Sequence, residues 1–317
     1  MLKLIGQRLV LGLITLFFAS ALIFFTTALL PGDFATAMLG QQATAENTAA
    51  IRAELGLDRP LVVRYADWLS GAVKGDFGNS LASKRPVMDE IKPRIANTFF
   101  LAIYAAIVAV PLSLFLGIMA AIRQGSVFDR GVNVGALLTI SVPEFFLGYL
   151  LVLYLATPAH WRIFPGLAVV NASTPFFTKL YVTFLPMMTL VLVIVAHMMR
   201  MTRASVLQVM ASPYIEMAYL KGLPKWRVVV QHALPNALAP IVNVVALNLA
   251  YLIVGVVVVE KVFVYPGMGQ MLVDAVSKRN IPTVLACGLI FAVVFITLNI
   301  IADLLSIMSN PRLRHPR

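Results

Sequence analysis

The sequence predicts an all-α membrane protein whose six transmembrane helices leave both termini in the cytoplasm. Three observations carry this expectation: the composition, a set of long apolar stretches and the placement of basic residues. Of the 317 residues, 60% are hydrophobic and 12% charged, about half the charged share of a soluble domain. Apolar stretches lie at 10–30, 99–122, 132–157, 180–199, 237–259 and 282–302, and about 20 such residues let a helix cross the hydrocarbon core. The 25 Lys and Arg exceed the 14 Asp and Glu by 11, a balance that suits a nucleic-acid partner or a membrane. A mean hydropathy of +0.88 excludes the nucleic acid and leaves the lipid bilayer.

The first stretch resembles a signal peptide, with Lys3 and Arg8 ahead of it and the small residues Ala35, Thr36 and Ala37 behind it. Its uncharged core is too long for a signal h-region and five further spans follow, so residues 1–30 are expected to form an uncleaved helix. With the N-terminus inside, the cytoplasmic pieces 1–9, 123–131, 200–236 and 303–317 hold twelve Lys and Arg, while the outside loops 158–179 and 260–281 hold five. Segment 31–98 carries eight basic and eight acidic residues and is too long for the positive-inside rule to act on.

Segment 31–96 carries helix punctuation of its own and is expected to fold outside the membrane. Thr44 caps a helix running to Leu55 with Gly56 just past its end, and Pro60 opens a second through Tyr65 and Trp68. A third short helix is expected between Pro86 and Pro93, after a glycine turn at GDFGNS, 75–80. Such a segment is a folded cap, a docking surface for a soluble partner, or both.

Within the spans, polar residues are the candidates for a translocation path, because burying a charge in lipid needs a reason. Glu144 lies within span three directly after Pro143, whose missing N–H loosens the helix. It either contacts the amine of a translocated solute or bonds to a neighbouring helix. Asn243 and Asn248 of span five could line a polar path, although five residues apart they do not share one face. Asp303 reads as an interfacial charge, His197 as a structural histidine, and Arg200 and Arg203 as headgroup anchors of span four. The single Cys287 allows no disulfide and no multi-thiolate metal site, and it reads as a packing residue.

The loop between spans four and five, 211–238, reads ASPYIEMAYLKGLPKWRVVVQHALPNAL. Ser212 fits an N-cap, Pro213 the first helical position and Gly222 the position just past the C-cap, so a short helix is expected between them. Pro224 starts a second helix that meets Pro235 at the entry to span five. The first helix exposes Tyr214, Ile215, Met217, Tyr219 and Leu220 with few charges. That surface fits the groove of a partner protein or the lipid headgroups.

At this loop the sequence resembles the EAA motif of ABC importer permeases. Glu216, Met217 and Ala218, three residues, Gly222, nine residues, then His232, Ala233, Leu234 and Pro235 match its spacing throughout. Met217 replaces an alanine and His232 stands where many members have isoleucine. The resemblance extends along the chain to the first-permease subunit of peptide and nickel importers through LLPGD (29–33), LGLDRPL (55–61), GDFGNS (75–80), SVPEFFLG (141–148), RMTRAS (200–205), VVVVEKVFVYPGMGQ (256–270) and NPRLR (310–314).

The resemblance implies a type I ABC importer permease fold in the bacterial inner membrane. Its core would be 97–305, followed by a cytoplasmic tail at 306–317. It implies a second homologous permease, one or two cytoplasmic ATPase subunits and an extracytoplasmic solute-binding protein as partners. Glu216, Met217, Ala218 and Gly222 would form the coupling helix that enters the ATPase, and Leu234 with Pro235 would redirect the chain into span five. No GxxxxGK[ST] sequence occurs, so ATP and Mg would be bound by the partner ATPase, with no cofactor, metal or catalytic residue in this chain. Di- or oligopeptides are the expected cargo, with glutathione, a nickel chelate, a glycoside or an opine as alternatives. An ion-coupled carrier would want paired intramembrane acids, and an intramembrane enzyme would want a motif such as HExxH or GxSxG, which are absent from the sequence.

Overall fold

The computed structural model describes residues 2–29, 44–54, 56, 58–171 and 173–309. All but the first residue of LLPGD, Leu55 and Leu57 of LGLDRPL, the stretch 35–37, NPRLR and residues 310–317 of the tail lie outside the described residues. The regular elements are helices: α1 (Leu2–Ala28), α2 (Ala45–Glu54), α3 (Leu61–Val73), α4 (Val87–Ile122), α5 (Val127–Ser141), α6 (Glu144–Leu155), α7 (Phe176–Val182), α8 (Phe184–Met210), α9 (Pro213–Leu220), α10 (Leu234–Val262), α11 (Met268–Ser277) and α12 (Ile281–Ser309). A turn at Lys225–Arg227 and a π-helical turn at Val228–Ala233 lead into α10.

Five of the described helices are long and apolar enough to cross a membrane, and α5 with α6 supplies a sixth span when the bent pair is taken together. Span three, expected over 132–157 with a helix loosened at Pro143, is therefore broken into two helices. Its two halves meet at 103°, because Pro143 lacks the N–H that would continue the ladder and forces Val142 into an extended conformation, φ −103° and ψ 129°. The expected third helix of the outer segment is also corrected. Pro86 does open a helix, but it runs on through Pro93 and Pro111 to Ile122 as α4. Elsewhere in that segment the expectations hold: Thr44 Oγ1 accepts the Asn47 N–H ahead of α2, and Pro60 precedes α3.

The centre of the bundle is α4, α8 and α10. Lipid tails are as apolar as leucine, so helices here associate through close backbone approach at small residues. Ala102, Ala105, Ala109, Ser113, Gly117 and Ala120 form such a stripe on α4, spaced three or four apart and buried. At its tightest point, a Cβ added to Gly117 would stand 2.6 Å from the Met199 carbonyl of α8. Leu185, Leu190, Val191 and Met198 of α8 and Val244, Leu252 and Val256 of α10 complete the packing. Helix α1 lies at the periphery against α12, with Leu13, Phe18 and Leu22 exposed.

α10 is about 43 Å long at 1.5 Å per residue, with α9 at one end and α11 at the other. The first turns of α1 lie beside the last turns of α12, where Arg8 pairs with Asp303 at 2.9 Å. At the α11 end, α3 folds back on α1 and α12: Tyr65 is buried among Phe24 and Leu285, with its hydroxyl 2.8 Å from Ser20 Oγ. The GDFGNS turn packs there too. Phe77 joins Val87, Ile91, Met268 and Met271, and Asn280 bonds to the Leu81 N–H and Ser80 Oγ.

Candidate functional site

At one end of the bundle, a short helix with one buried and one open face sits on a rigid base. In α9, Ile215 and Ala218, three apart, are buried against Val228 and Ala233 of the following turns. Glu216 is exposed, Met217 is 54% exposed and Leu220 74%. Tyr214, Tyr219 and, after the corner, Trp226 are exposed as well. Of the expected coupling residues, Ala218 therefore holds the helix down, while Glu216 and Met217 face outward.

The corner after α9 depends on Gly222. Its φ of +76° is the left-handed conformation that costs a side-chain-bearing residue about 1–2 kcal/mol. The Gly222 N–H donates to the Tyr219 carbonyl at 2.9 Å and the Leu223 N–H to the Ala218 carbonyl at 3.3 Å. These are the two bonds of a Schellman motif, and Leu223 supplies its apolar contact by packing on the Ile215 and Ala218 cluster. Ser212 occupies the N-cap position with extended dihedrals, but its hydroxyl donates back to the Val209 carbonyl and caps no N–H of α9.

Leu234 and Pro235 do not turn the chain as expected. The backbone stays helical from Lys225 into α10, with Leu234 at φ −58° and ψ −45°. The adjustment is the π turn, in which the Leu234 N–H reaches the Val229 carbonyl five residues back. Pro235 has no N–H and its ring would crowd the Gln231 carbonyl in a regular helix, so a widened turn ahead of it relieves the conflict. From Lys225 onward the backbone thus reaches α10 without leaving its helical course.

Midway along α10 a cavity of about 640 Å³ opens between α6, α8 and α10. Glu144, His197, Asn248, Tyr251 and Gly255 lie on its wall among Leu190, Ile194, Leu247 and Val258. The α5–α6 break creates this arrangement: Glu144 is the first residue of α6 and sits at the bend, not within a continuous helix. Two of the three path candidates, Glu144 and Asn248, thus meet in one cavity, while Asn243 lies outside its lining. His197, expected to be a structural histidine, lines the same wall. Tyr251 and Val254 are both more than half exposed, so this face of α10 is uncovered.

Two carboxyl-centred clamps, one an ion pair and one built of hydrogen bonds, brace the ends of the central helices. Near α9, Arg203 of α8 forms a two-bond pair with Asp129 of α5, Nε to Oδ1 at 2.7 Å and Nη2 to Oδ2 at 2.8 Å. The Gly125 N–H and the Asn133 amide also donate to that carboxylate. Arg203 is therefore a helix clamp and not the headgroup anchor expected. At the other end the fully buried Glu260 accepts from Thr98 Oγ1 at 2.6 Å and from the Gly269 and Gln270 N–H groups at 2.7 and 3.1 Å. Those N–H groups open α11, where the helix dipole favours a carboxylate. A Cβ on Gly267 would land on the Glu260 carboxyl, and one on Gly269 would stand 2.5 Å from Val257 Cα. This geometry explains the glycines of the PGMGQ stretch.

Around this clamp, Tyr265 donates to the Asn97 carbonyl at 2.9 Å, and Lys179 of α7 donates to Asn97 Oδ1 at 3.0 Å while lying 4.2 Å from the Phe100 ring centroid. Burial, and then the neighbouring Glu260, hold the Tyr265 hydroxyl well above the usual phenol range, so it stays a donor. Burial pulls the Lys179 ammonium down from its ordinary value.

Among the described residues no group of three or more His, Cys, Asp or Glu is placed to hold a metal ion.

Comparisons with known proteins agree with that geometry. The family described as "Binding-protein-dependent transport system inner membrane component" matches residues 113–315, and the description of its N-terminal part matches residues 1–102. Over 316 residues the chain is 39% identical to the glutathione transport system permease proteins of Escherichia coli and of Shigella dysenteriae serotype 1. The match covers 99% of this chain and 100% of each relative.

Proposed function

Because the chain belongs to the family of inner membrane components of binding-protein-dependent transport systems, we propose that it forms half of the translocation pathway of an ATP-driven importer of small peptides. As an ABC importer permease of the bacterial inner membrane it is a transport subunit, not an enzyme, and works with ATPase and binding-protein partners. A second, homologous permease covers the open face of α10 and completes the path. One or two ATPase subunits, which carry the ATP and Mg, lie in the cytoplasm at the α9 end together with both chain termini, and the binding protein docks at the α11 end.

The observation that carries the coupling assignment is the two-sided α9: Ile215 and Ala218 anchor it, while Glu216, Met217 and Leu220 stand exposed. A rigid helix seated in an ATPase cleft moves with it. The Gly222 corner, the π turn and the Leu234–Pro235 entry then deliver that movement to α10 and so to the cavity wall. Closure of the nucleotide-bound dimer biases the spans between two states only to the extent that α9 contacts differ between them. Glu144 and Asn248 line the path, and Asn243 joins it on the neighbouring face of α10 when the second permease is in place.

The cargo reading favours peptides, and within them glutathione, itself a tripeptide, because the relatives at 39% identity are glutathione permeases. Co-expression with the partner subunits tests both parts. A photo-crosslinking residue at Met217 should join the ATPase, and the binding protein should bind di- and tripeptides or glutathione in preference to nickel chelates and glycosides. Crosslinks confined to lipid would remove the coupling assignment, and preference for a glycoside would remove the cargo assignment.

A further inference from the structure

Within the cavity between α6, α8 and α10, Glu144 is the one carboxylate, and no Lys or Arg shares the wall. Its carboxyl has no hydrogen-bond or ion-pair partner among the described residues. It leans across the cavity toward α10, with Oε2 3.2 Å from where a Cβ would stand on Gly255, so the absent side chain makes its room. The other polar groups on the wall add acceptors. The Asn248 amide NH₂ donates to the Val244 carbonyl at 2.8 Å and to Met201 Sδ at 3.8 Å, which leaves its side-chain oxygen for another donor, and His197 and Tyr251 stand on the same wall. A cavity of about 640 Å³ has the size of a small-ligand site.

A cation finds a carboxylate on this wall, whereas an anion finds no Lys or Arg there among the described residues. An unpaired carboxylate at membrane depth costs several kcal/mol unless it is protonated or meets a counter-charge, and a solute that crosses here is placed to supply one. We propose that Glu144 receives the positively charged nitrogen of the cargo, making the route selective for solutes that carry an ammonium group, such as the N-terminus of a peptide. The inference rests on the reading of this cavity as the path.

The test uses the complete importer with its binding protein in proteoliposomes, and three radiolabelled probes: dialanine, reduced glutathione and the neutral disaccharide cellobiose. For the amino-bearing probe that the wild type carries, Glu144→Gln should lower the uptake rate about tenfold, with binding-protein-stimulated ATP hydrolysis retained, while Glu144→Asp stays close to wild type. In a Cys287→Ala background, Glu144→Cys should regain uptake when its thiol is given a sulfonate-bearing group and not when given a trimethylammonium group, a distinction that a merely structural role would not produce. Val254→Trp, at an exposed cavity position, should block uptake if the cavity is the path. Normal uptake by Glu144→Gln with Val254→Trp blocked would leave the path in place and overturn the ammonium assignment. Normal uptake by both would remove both readings. A Glu144→Gln chain that no longer assembles with the second permease would assign the carboxylate to the subunit interface. A wild type that carries only cellobiose would overturn the proposal while leaving the coupling assignment intact.

Discussion

Replacing Glu260 by alanine should destabilise the permease by about 3–4 kcal/mol. The carboxylate is fully buried and accepts from Thr98 Oγ1, the Gly269 N–H and the Gln270 N–H. Its removal strands three donors, and each buried unsatisfied group costs about 1–3 kcal/mol. Two effects reduce the total. The Thr98 hydroxyl already accepts from the Met268 N–H at 2.8 Å and is free to reorient, and the desolvation cost of the carboxylate disappears with it. Glu260→Gln should cost less, about 1–2 kcal/mol, because one amide oxygen still accepts while the amide NH₂ faces a donor. Gly267 supplies an internal control: Gly267→Ala should be severe in the wild type, since its Cβ lands on the carboxyl, and nearly free once Glu260 is alanine. The assay is denaturant unfolding of the purified permease in detergent, run as a double-mutant cycle. A Glu260→Ala protein within about 0.5 kcal/mol of wild type, or a Gly267→Ala cost unchanged in its background, would refute the clamp.

Other outcomes follow from the same geometry. Arg203→Ala leaves the Asp129 carboxylate buried without its cation and should cost about 3 kcal/mol in the same assay; Arg203→Lys should recover only part of that, because one ammonium cannot make both bonds. Ile215→Asp should release α9 from its base, seen as faster tryptic cleavage at Lys221, with loss of uptake and no change in the rest of the bundle. Met217→Asp, on the exposed face, should leave that cleavage rate unchanged and still abolish ATP-driven uptake.

The spans were legible in the sequence because lipid demands long apolar runs, and a run of 20 such residues has few other uses. The α9 corner was legible because Pro213, Gly222 and Pro224 punctuate it locally. What escaped was long-range or masked by hydrophobicity. Residues 132–157 read as one span because the apolar run continues across Pro143, although that proline marks the 103° bend. Pro93 read as a helix stop, yet it sits in the early turns of α4, where few ladder bonds depend on it. Glu260 counted as one more loop charge, since nothing local shows that Thr98 and the start of α11 would close over it. Arg203 read as a headgroup anchor because its partner, Asp129, is 74 positions away. His197 read as structural because only the fold sets it beside Glu144 and Asn248.

Whether α9 and its Gly222 corner carry ATPase movement into the membrane is decided by Gly222→Asp. A Cβ at Gly222 meets nothing within 4 Å in the chain, so the intramolecular cost is limited to backbone strain of about 1–2 kcal/mol, too little to unfold the bundle. Membrane-inserted, assembled permease should stay at wild-type levels while ATP-driven uptake is lost; wild-type uptake by the same protein would remove the coupling role of this corner.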